Sequence, residues 1–239
     1  MFDSEASLAV AGHKKGRVPR ALREEQILDI AEELFLTKGY EQTSIEDICR
    51  IAEVSRPTVY NLYKNKGAIY LSCVRRARAI LERDLAEAAL STTDPYEQLM
   101  RGGEVHFRIL EKDPRRWQLL FGKPGLMGEL ADELAAERFH TVEAIAALLR
   151  NYAPDADEDR VHAYANLISG AAEQLGRWWL YNRHISLETI CRFQADFLWS
   201  GGRELREDAA AENGGSPVGR DGAVPAVDGG APELEGSGP

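Results

Sequence analysis

The chain has 239 residues, of which 44% are hydrophobic and 28% charged, a balance typical of a globular protein with a sizeable core. Its formal net charge of −10 excludes a general basic coating for nucleic acid but leaves room for a local basic surface. The three cysteines lie far apart, without a CxxC pair or a Cys/His cluster (Cys49, Cys73 and Cys191). We therefore expect free, buried thiols and neither a metal site nor a disulfide framework.

No segment has the pattern of a membrane span or an export signal. The longest purely apolar run, residues 144–149, is too short to cross a bilayer. The N-terminus lacks the apolar core of a signal peptide. We therefore expect a cytoplasmic protein without a membrane partner.

Charge is distributed unevenly along the chain. Residues 1–80 hold 13 Lys and Arg against 11 Asp and Glu, a net charge of +2, whereas the rest hold 16 against 28, a net charge of −12. A basic flexible arm is predicted over residues 1–19, and the acid-free run that begins in it contains Lys14, Lys15, Arg17, Arg20 and Arg23. This asymmetry favours a small polyanion-binding head on an acidic body. The arm either enters a minor groove or is loosely solvated.

Every predicted element beyond residue 20 is a helix. Ile27, Ala31, Leu34 and Phe35 fall on one face of a helix over about 20–38, which Gly39 ends. Caps, prolines and apolar spacing predict further helices, over about 44–51, 55–62, 66–90, 95–112, from 114 onward, 156–182 and 187–206. The predicted fold class is all-α, with about nine helices and no strand of useful length.

The C-terminal end has a different composition. Residues 201–239 contain 10 of the 21 glycines and 4 of the 10 prolines, and no aromatic residue follows Trp199. Such a stretch buries too little apolar surface to offset the entropy of ordering it. Residues 207–239 are therefore predicted to form a disordered Gly/Pro-rich tail.

Residues 44–62 have the form of a helix-turn-helix. Ala52 is small enough for two helices to approach closely, and Val54 supplies an apolar plug in the turn. The second helix, from Ser55, presents a short mixed face that fits the major groove, about 12 Å wide, with its N-terminal residues at the base edges. Many helical hairpins share this pattern, so the hairpin alone is a weak signal.

The surrounding residues carry a more specific signal. Residues 27–40 are ILDIAEELFLTKGY, residues 43–48 are TSIEDI, and residues 52–66 are AEVSRPTVYNLYKNK. With these segments, residues 20–72 resemble the DNA-binding head of a TetR-family transcriptional regulator. One departure is Gly67, where the family often has Glu.

The resemblance implies a helix-turn-helix head over residues 20–65. A linker helix and a larger helical ligand-binding and dimerisation domain would follow over residues 66–206. It also implies a homodimer that binds a palindromic operator in double-stranded DNA, usually represses, and is released by a small-molecule effector. No cofactor is expected besides that effector.

Chemistry and resemblance together assign candidate DNA contacts. The fork of Arg56 can pair with guanine O6 and N7, or bind a phosphate. Pro57 and Thr58 offer apolar surface to a thymine methyl, although Pro57 also suits the first turn of a helix. Asn61 can bind adenine or phosphate, and Tyr60 resembles the family's backbone-contacting tyrosine.

Candidate phosphate contacts lie beside this helix. Tyr63 and Lys66 match positions at which members of the family bind phosphate. For Tyr63, packing in the hydrophobic core is the alternative. Thr43 and Ser44 begin the first helix of the hairpin, where hydroxyls and unpaired amides can meet a phosphate.

The body should hold an effector pocket and a dimer interface. An apolar effector such as an acyl chain or acyl-CoA is expected, because residues 114–122 and 177–202 resemble an actinobacterial branch that includes lipid-metabolism regulators. The candidate pocket residues are His106, Phe107, Leu110, Trp117, Leu120, Phe121, Phe139, His140 and Asn166. The candidate interface residues, on the last two long helices, are Trp178, Tyr181, Phe193 and Phe197. For each of these rings, the effector cavity or the core of the protomer is an equal alternative.

The sequence disfavours two other function classes. An enzyme is disfavoured because the sequence has no nucleophile elbow, phosphate loop, HExxH or paired-carboxylate motif, and no catalytic residue is assigned. A helical interaction or ligand-binding module without specific DNA binding is disfavoured by the intact run from Arg56 to Lys66.

Overall fold

The computed structural model describes residues 18–121 and 128–201, and every regular element in these ranges is an α-helix. The helices are α1 (Arg20–Lys38), α2 (Ile45–Ala52), α3 (Arg56–Tyr60), α4 (Lys66–Leu90), α5 (Pro95–Lys112), α6 (Pro114–Phe121), α7 (Glu129–Tyr152), α8 (Glu158–Trp179) and α9 (Leu187–Gly201). The all-α prediction is confirmed for this part of the chain. The predicted tail lies outside the described residues, as does the predicted arm up to residue 17.

Local chemistry sets most helix ends. Gly39 ends α1 with φ at +82°, where a side chain would be strained, and its N–H donates to the Phe35 carbonyl at 3.1 Å. At the start of α4, the Asn65 side chain accepts from the Ala68 N–H at 2.8 Å. The predicted ranges 20–38 and 66–90 therefore match α1 and α4.

One hydrophobic core runs from the head into the body. In the head, Ile27, Ile48 and Val59 are fully buried where α1, α2 and α3 meet. The same core continues along α4 through Ile69 and Leu81. α4 therefore connects the head to the body through a continuous set of buried side chains.

The rest of the body packs around α4 and α5. α5 lies against α9 where Gly103 leaves room: a Cβ there would come within 2.9 Å of Gln194 Oε1. α7 and α8 pack on each other through a separate small cluster of Val142, Ala146 and Val161, with Ala165. Within the described residues, no helix has the length and apolarity that crossing a membrane requires.

Candidate nucleic-acid interface and effector region

The N-terminus of α2 is fixed by a reciprocal capping box. The Asp47 N–H donates to Ser44 Oγ at 3.1 Å, and the Ser44 N–H donates to Asp47 Oδ2 at 3.3 Å. Arg50 donates to the same carboxylate at 3.0 Å. The hydrogen bond from Arg50 has the largest effect on the Asp47 carboxylate, followed by those from Ser44. Together they lower the pKa of Asp47 to about 2. Ser44 therefore acts as a cap in the single chain, at the end of α2 where an anion would be favoured.

Thr43 does not face outward. Its side chain is buried, and its hydroxyl donates to the Gly39 carbonyl at 2.8 Å and lies 3.3 Å from the Leu34 carbonyl. The hydroxyl closes the turn after α1, so its assignment as a phosphate contact is corrected. The sequence has capping-box spacing at both Thr43/Glu46 and Ser44/Asp47, and the structure forms the second pair.

The turn between α2 and α3 contains an uncommon backbone conformation. Glu53 has φ at +53° and ψ at 44°, in the left-handed region that favours glycine. Its N–H and that of Val54 both donate to the Cys49 carbonyl, the latter at 3.0 Å. The turn therefore ends α2 sharply and directs the chain into α3.

α3 is short, and it is fixed by a cap at its N-terminus and by one buried side chain. Ser55 caps it by accepting from the Thr58 N–H at 3.4 Å, and Val59 anchors it in the core with no exposed surface. On the other side, Arg56, Pro57 and Asn61 are exposed, and Tyr60 is 51% exposed. The candidate base-reading side chains thus lie outward from a fixed anchor.

Arg56 has a partner in the single chain. Its guanidinium forms an ion pair with Glu46 of α2, and both side chains are more than half exposed. An exposed pair of this kind contributes little to stability. DNA phosphates or a guanine could therefore compete for Arg56 at small cost.

Tyr63 and Lys66 have structural contacts at the start of α4. Tyr63 packs against the core, and burial, followed by the charge of Glu24, raises its pKa to about 12. The Lys66 ammonium donates to the Tyr40 carbonyl at 2.8 Å and lies 4.2 Å from the centre of the Tyr40 ring. Lys66 therefore ties α4 to the turn after α1. Gly67 also has a packing role, because a Cβ there would lie 3.3 Å from Leu130 of α7.

Sequence reasoning missed an ionic junction between head and body. Glu32 of α1 is buried and accepts from Arg76 of α4 at 2.6 Å and from Arg116 of α6 at 2.7 and 3.0 Å. Asp29 accepts from Arg76 at 2.6 Å. The partners of Glu32 lie 44 and 84 residues away in sequence, so no local sequence pattern predicts this junction.

The body contains a packed ring cluster of His106, Phe107, Trp117 and Phe121. The Trp117 indole N–H donates to His106 Nε2 at 3.3 Å, and the His106 ring also hydrogen-bonds the backbone of Ala172. Burial lowers the pKa of His106 to about 4, so this ring is neutral at pH 7. The histidine is a satisfied core residue.

The C-terminal end of α6 is held by arginines from three other helices. Arg78 of α4 is buried and donates to the Leu120 carbonyl and to Thr141, both at 2.9 Å. Arg138 of α7 and Arg177 of α8 both donate to the Phe121 carbonyl. The negative end of the helix dipole favours cations at this position. The three arginines together fix α6, which contributes two rings to the cluster.

This arrangement groups six of the nine candidate pocket residues, and their contact with an effector stays a prediction. The structure brings His106, Phe107, Trp117 and Phe121 together, with Leu110 and Leu120 buried in the same core. It does not bring the other three to them: Phe139, His140 and Asn166 are exposed on α7 and α8 of the single chain. Their assignment to the pocket is corrected, because no other described part of the single chain covers the faces of α7 and α8 that carry them.

An open cleft lies elsewhere, between α1, α4, α5 and α6. Its volume is about 720 Å³. Of the predicted pocket residues, only Leu120 lines it. Its other lining residues come from helix faces that sequence reasoning did not connect, and they include the Glu32 junction.

The four candidate interface residues share a property in the single chain. Trp178 is 44% exposed, Phe193 51%, Phe197 72% and Tyr181 89%. The neighbouring Trp179 is buried instead and donates to the Ile185 carbonyl at 2.9 Å. The end of α8, the turn after it and one side of α9 thus expose large apolar rings.

Comparison with known proteins links this geometry to a family. Residues 27–73 match the model of the family described as bacterial regulatory proteins, tetR family. The chain is 27% identical over 194 residues to the HTH-type transcriptional activator FasR of Mycolicibacterium smegmatis. That match covers 80% of this chain and 88% of FasR.

Two solved structures share the fold. A TetR-like transcriptional regulator from Rhodococcus sp. RHA1 is 26% identical with a TM-score of 0.58, covering 77% of this chain and 98% of that one. FadR from Bacillus subtilis, solved in complex with stearoyl-CoA, is 22% identical with a TM-score of 0.61. That match covers 74% of this chain and 98% of FadR.

Proposed function

Because this chain belongs to the TetR family of bacterial regulatory proteins and is a DNA-binding transcriptional regulator, we propose that two copies bind a palindromic operator and repress transcription from it. The observation that carries the proposal is the α2–α3 hairpin, with an exposed polar face over the buried Val59. A two-fold dimer presents two such faces, and a palindrome has the same symmetry. Such a regulator works in the cytoplasm, where the bacterial chromosome is.

α3 is the base-reading element in this proposal. Arg56 exchanges Glu46 for guanine O6 and N7, a bidentate contact that specifies a base. Pro57 and Thr58 meet a thymine methyl, while Tyr60 and Asn61 contact the backbone or an adenine. Phosphates are bound by the N-terminus of α2 at Ser44 and by Tyr63 and Lys66.

The proposed dimer uses the exposed rings of α8 and α9. Large apolar side chains are costly to leave in water, and Trp and Tyr commonly anchor interfaces. Trp178, Tyr181, Phe193 and Phe197 together offer such anchors. Two α8–α9 pairs would form a four-helix bundle between the protomers.

The proposed effector is an acyl-type small molecule. The support is the stearoyl-CoA held by the FadR relative of the same fold, together with the lipid-regulator resemblance of residues 114–122 and 177–202. An effector that prefers one position of α4 changes the spacing of the two α3 helices, and its differential affinity sets how far the population leaves DNA.

Activation is a second candidate, because FasR is named a transcriptional activator. The same DNA contacts serve either outcome, since the position of the operator relative to the promoter decides it. A reporter gene behind the native upstream region separates the two. Deleting the regulator raises reporter output if it represses and lowers the output if it activates.

The proposed function is tested by selecting duplexes from a random pool with the full chain. We expect an enriched inverted repeat that binds two protomers, and a footprint with two-fold symmetry. Enrichment of an asymmetric site bound by one protomer would contradict the dimeric proposal. Failure to enrich any sequence would favour the module without specific DNA binding.

A further inference from the structure

The open cleft combines an aliphatic floor with a charged rim. Its floor includes Ile80 of α4 and Val105 and Ile109 of α5, and Ile80 is 43% exposed in the single chain. The residues of each helix recur at three- and four-residue intervals, so each presents one continuous face to the space between them. The floor suits the hydrocarbon portion of a ligand.

The rim carries an excess of positive charge. Five cations and four carboxylates line the cleft, whereas the whole chain has a net charge of −10. The cations are Arg76, Arg101, Arg108, Lys112 and Arg116. A local cationic excess on an acidic protein favours an anionic ligand over a neutral or cationic one.

Two of these cations have capacity left for a ligand. Lys112 has no ion pair or hydrogen bond to its ammonium within residues 18–121 and 128–201, and it is exposed at the end of α5. Arg116 binds Glu32 through Nε and Nη2, while half of its side chain is exposed and its Nη1 makes no hydrogen bond in the described part of the chain. The two lie on either side of the α5–α6 junction.

We propose that this cleft is the binding site for an amphiphilic anion, whose hydrocarbon portion lies on Ile80, Val105 and Ile109 and whose carboxylate or phosphate binds Lys112 and Arg116. The site is separate from the packed ring cluster around His106. The proposal deepens the proposed function by giving the effector a site and a chemical class, and its regulatory half rests on that function.

The site also provides a route to the head. Arg116 and Arg76 both bind Glu32, which belongs to α1. A ligand anion at Nη1 of Arg116 draws the guanidinium away from Glu32, which is bound to Nε and Nη2, and so weakens the contact between α6 and α1. Ligand binding and the position of the head are thereby linked reciprocally.

Binding is tested without DNA, by calorimetric titration of the full chain with three probes of equal chain length. The probes are dodecanoate, dodecyl phosphate and dodecanol, each kept below its micelle concentration. We expect both anions to bind about tenfold more tightly than the alcohol, as charge-assisted contacts require. If the phosphate binds more tightly than the carboxylate, the natural ligand carries a phosphate in its head group. If both anions bind equally, the cleft binds acidic amphiphiles in general. Equal binding of all three probes, or binding of none, overturns the proposal.

Matched variants locate the site. The double variant Lys112→Ala/Arg116→Gln should lose about tenfold in dodecanoate affinity, whereas Arg83→Gln, another exposed arginine paired with a carboxylate, should bind as wild type. Circular dichroism verifies that each variant is folded. Wild-type affinity of the double variant would place the anion elsewhere and overturn the proposal.

Glu32 competes with the ligand anion for Arg116, so removing its charge should increase the ligand affinity. Misfolding of the variant would not produce such an increase. Glu32→Gln removes the competing charge and should tighten dodecanoate binding severalfold, whereas Glu33→Gln beside it should change the affinity less. An unchanged or weaker affinity for Glu32→Gln, in a folded protein, would overturn the link to the head. Because these titrations contain no DNA, they succeed or fail independently of operator binding, which is measured separately by the duplex selection.

Discussion

The head and the body of this protein carry their candidate sites in different ways. In the head, the exposed residues of α3 come from one short stretch, held by the nearby cap Ser55 and the anchor Val59. Where the body meets the head, Glu32 of α1 is bound by Arg76 of α4 and Arg116 of α6. A locally built site can be recognised along the chain, whereas a site assembled by packing becomes visible only in three dimensions.

The two regions also differ in the exposure of their polar side chains. The head's Arg56 and Tyr60 are exposed and available to a large polyanion. The body buries His106 and Arg78 and holds each with a specific partner, the Trp117 indole for His106 and the Thr141 hydroxyl for Arg78. The head is therefore suited to exchange water for DNA, while the body depends on a fixed internal arrangement.

The body should respond to acid through His106. The pKa of this ring is lowered to about 4 in the folded protein, against an ordinary value of 6.5. Between these values the unfolded chain takes up a proton that the folded chain does not, so stability should fall as pH drops through this window, by up to about 3 kcal/mol. Urea unfolding at a series of pH values measures the effect.

The control for this prediction is a second histidine on the surface. His106→Gln should remove the histidine's part of the pH dependence, whereas His140→Gln, at an exposed position of α7, should retain it. If both variants keep the wild-type slope between pH 6.5 and 4, the acid sensitivity of the body comes from other groups.

The close packing of α8 on the ring cluster is tested by two glycines on one helix. A Cβ on Gly176 would lie 2.9 Å from the Trp117 ring, whereas a Cβ on Gly170 meets nothing within 4 Å. Gly176→Ala should destabilise the protein by about 2 kcal/mol, and Gly170→Ala should stabilise it by about 0.5–1 kcal/mol because alanine favours helix. Thermal unfolding of both variants would refute the packing if their effects had the same sign and size.

In the head, Arg56→Ala should weaken operator binding without changing the fold. Loss of a bidentate base contact costs about 1–3 kcal/mol and relaxes preference at the contacted base pair. Fluorescence anisotropy on the selected duplex and on single-base variants measures both effects. Arg150→Ala, at a partly exposed arginine of α7 paired with Glu158, is the control. Equal loss on all duplexes would make Arg56 a phosphate contact.

The smallest expected effect lies in the turn of the head. Glu53 has φ at +53°, so Glu53→Gly should stabilise the protein by about 0.5–1 kcal/mol. Glu25→Gly, at an exposed position inside α1, should instead destabilise it by about 1 kcal/mol. Chemical denaturation of the two variants would contradict this reading of the turn if both were destabilised equally.

The sequence was most informative where structure is local. Periodicity and caps predicted α1 and α4 to their ends, and predicted 156–182 against the observed Glu158–Trp179 of α8. No start or end was predicted for α7. In the predicted pocket, Phe107 is buried but Phe139 is exposed, because the burial of an aromatic residue depends on which helix covers it.

The polar residues at the junction between head and body were the least predictable. Nothing around Glu32 in the sequence distinguishes it from the exposed Glu25, since its partners are supplied by α4 and α6. In the head, the predicted exposure of α3 needed only the spacing between Ser55 and Val59. The hydroxyl of Thr43 is the exception there, because its bond to Gly39 depends on how the turn closes.

The central claim, that two copies present paired α3 helices to a palindrome, is tested most directly by changing the operator's spacing. Binding of the full chain to the selected inverted repeat is measured by anisotropy, with and without about five extra base pairs between the half-sites, which rotate one half-site by half a turn. The account predicts two protomers per operator and a loss of about a hundredfold in affinity when one of the two contacts is forfeited. Unchanged affinity on the respaced duplex, or one protomer per site, would contradict it.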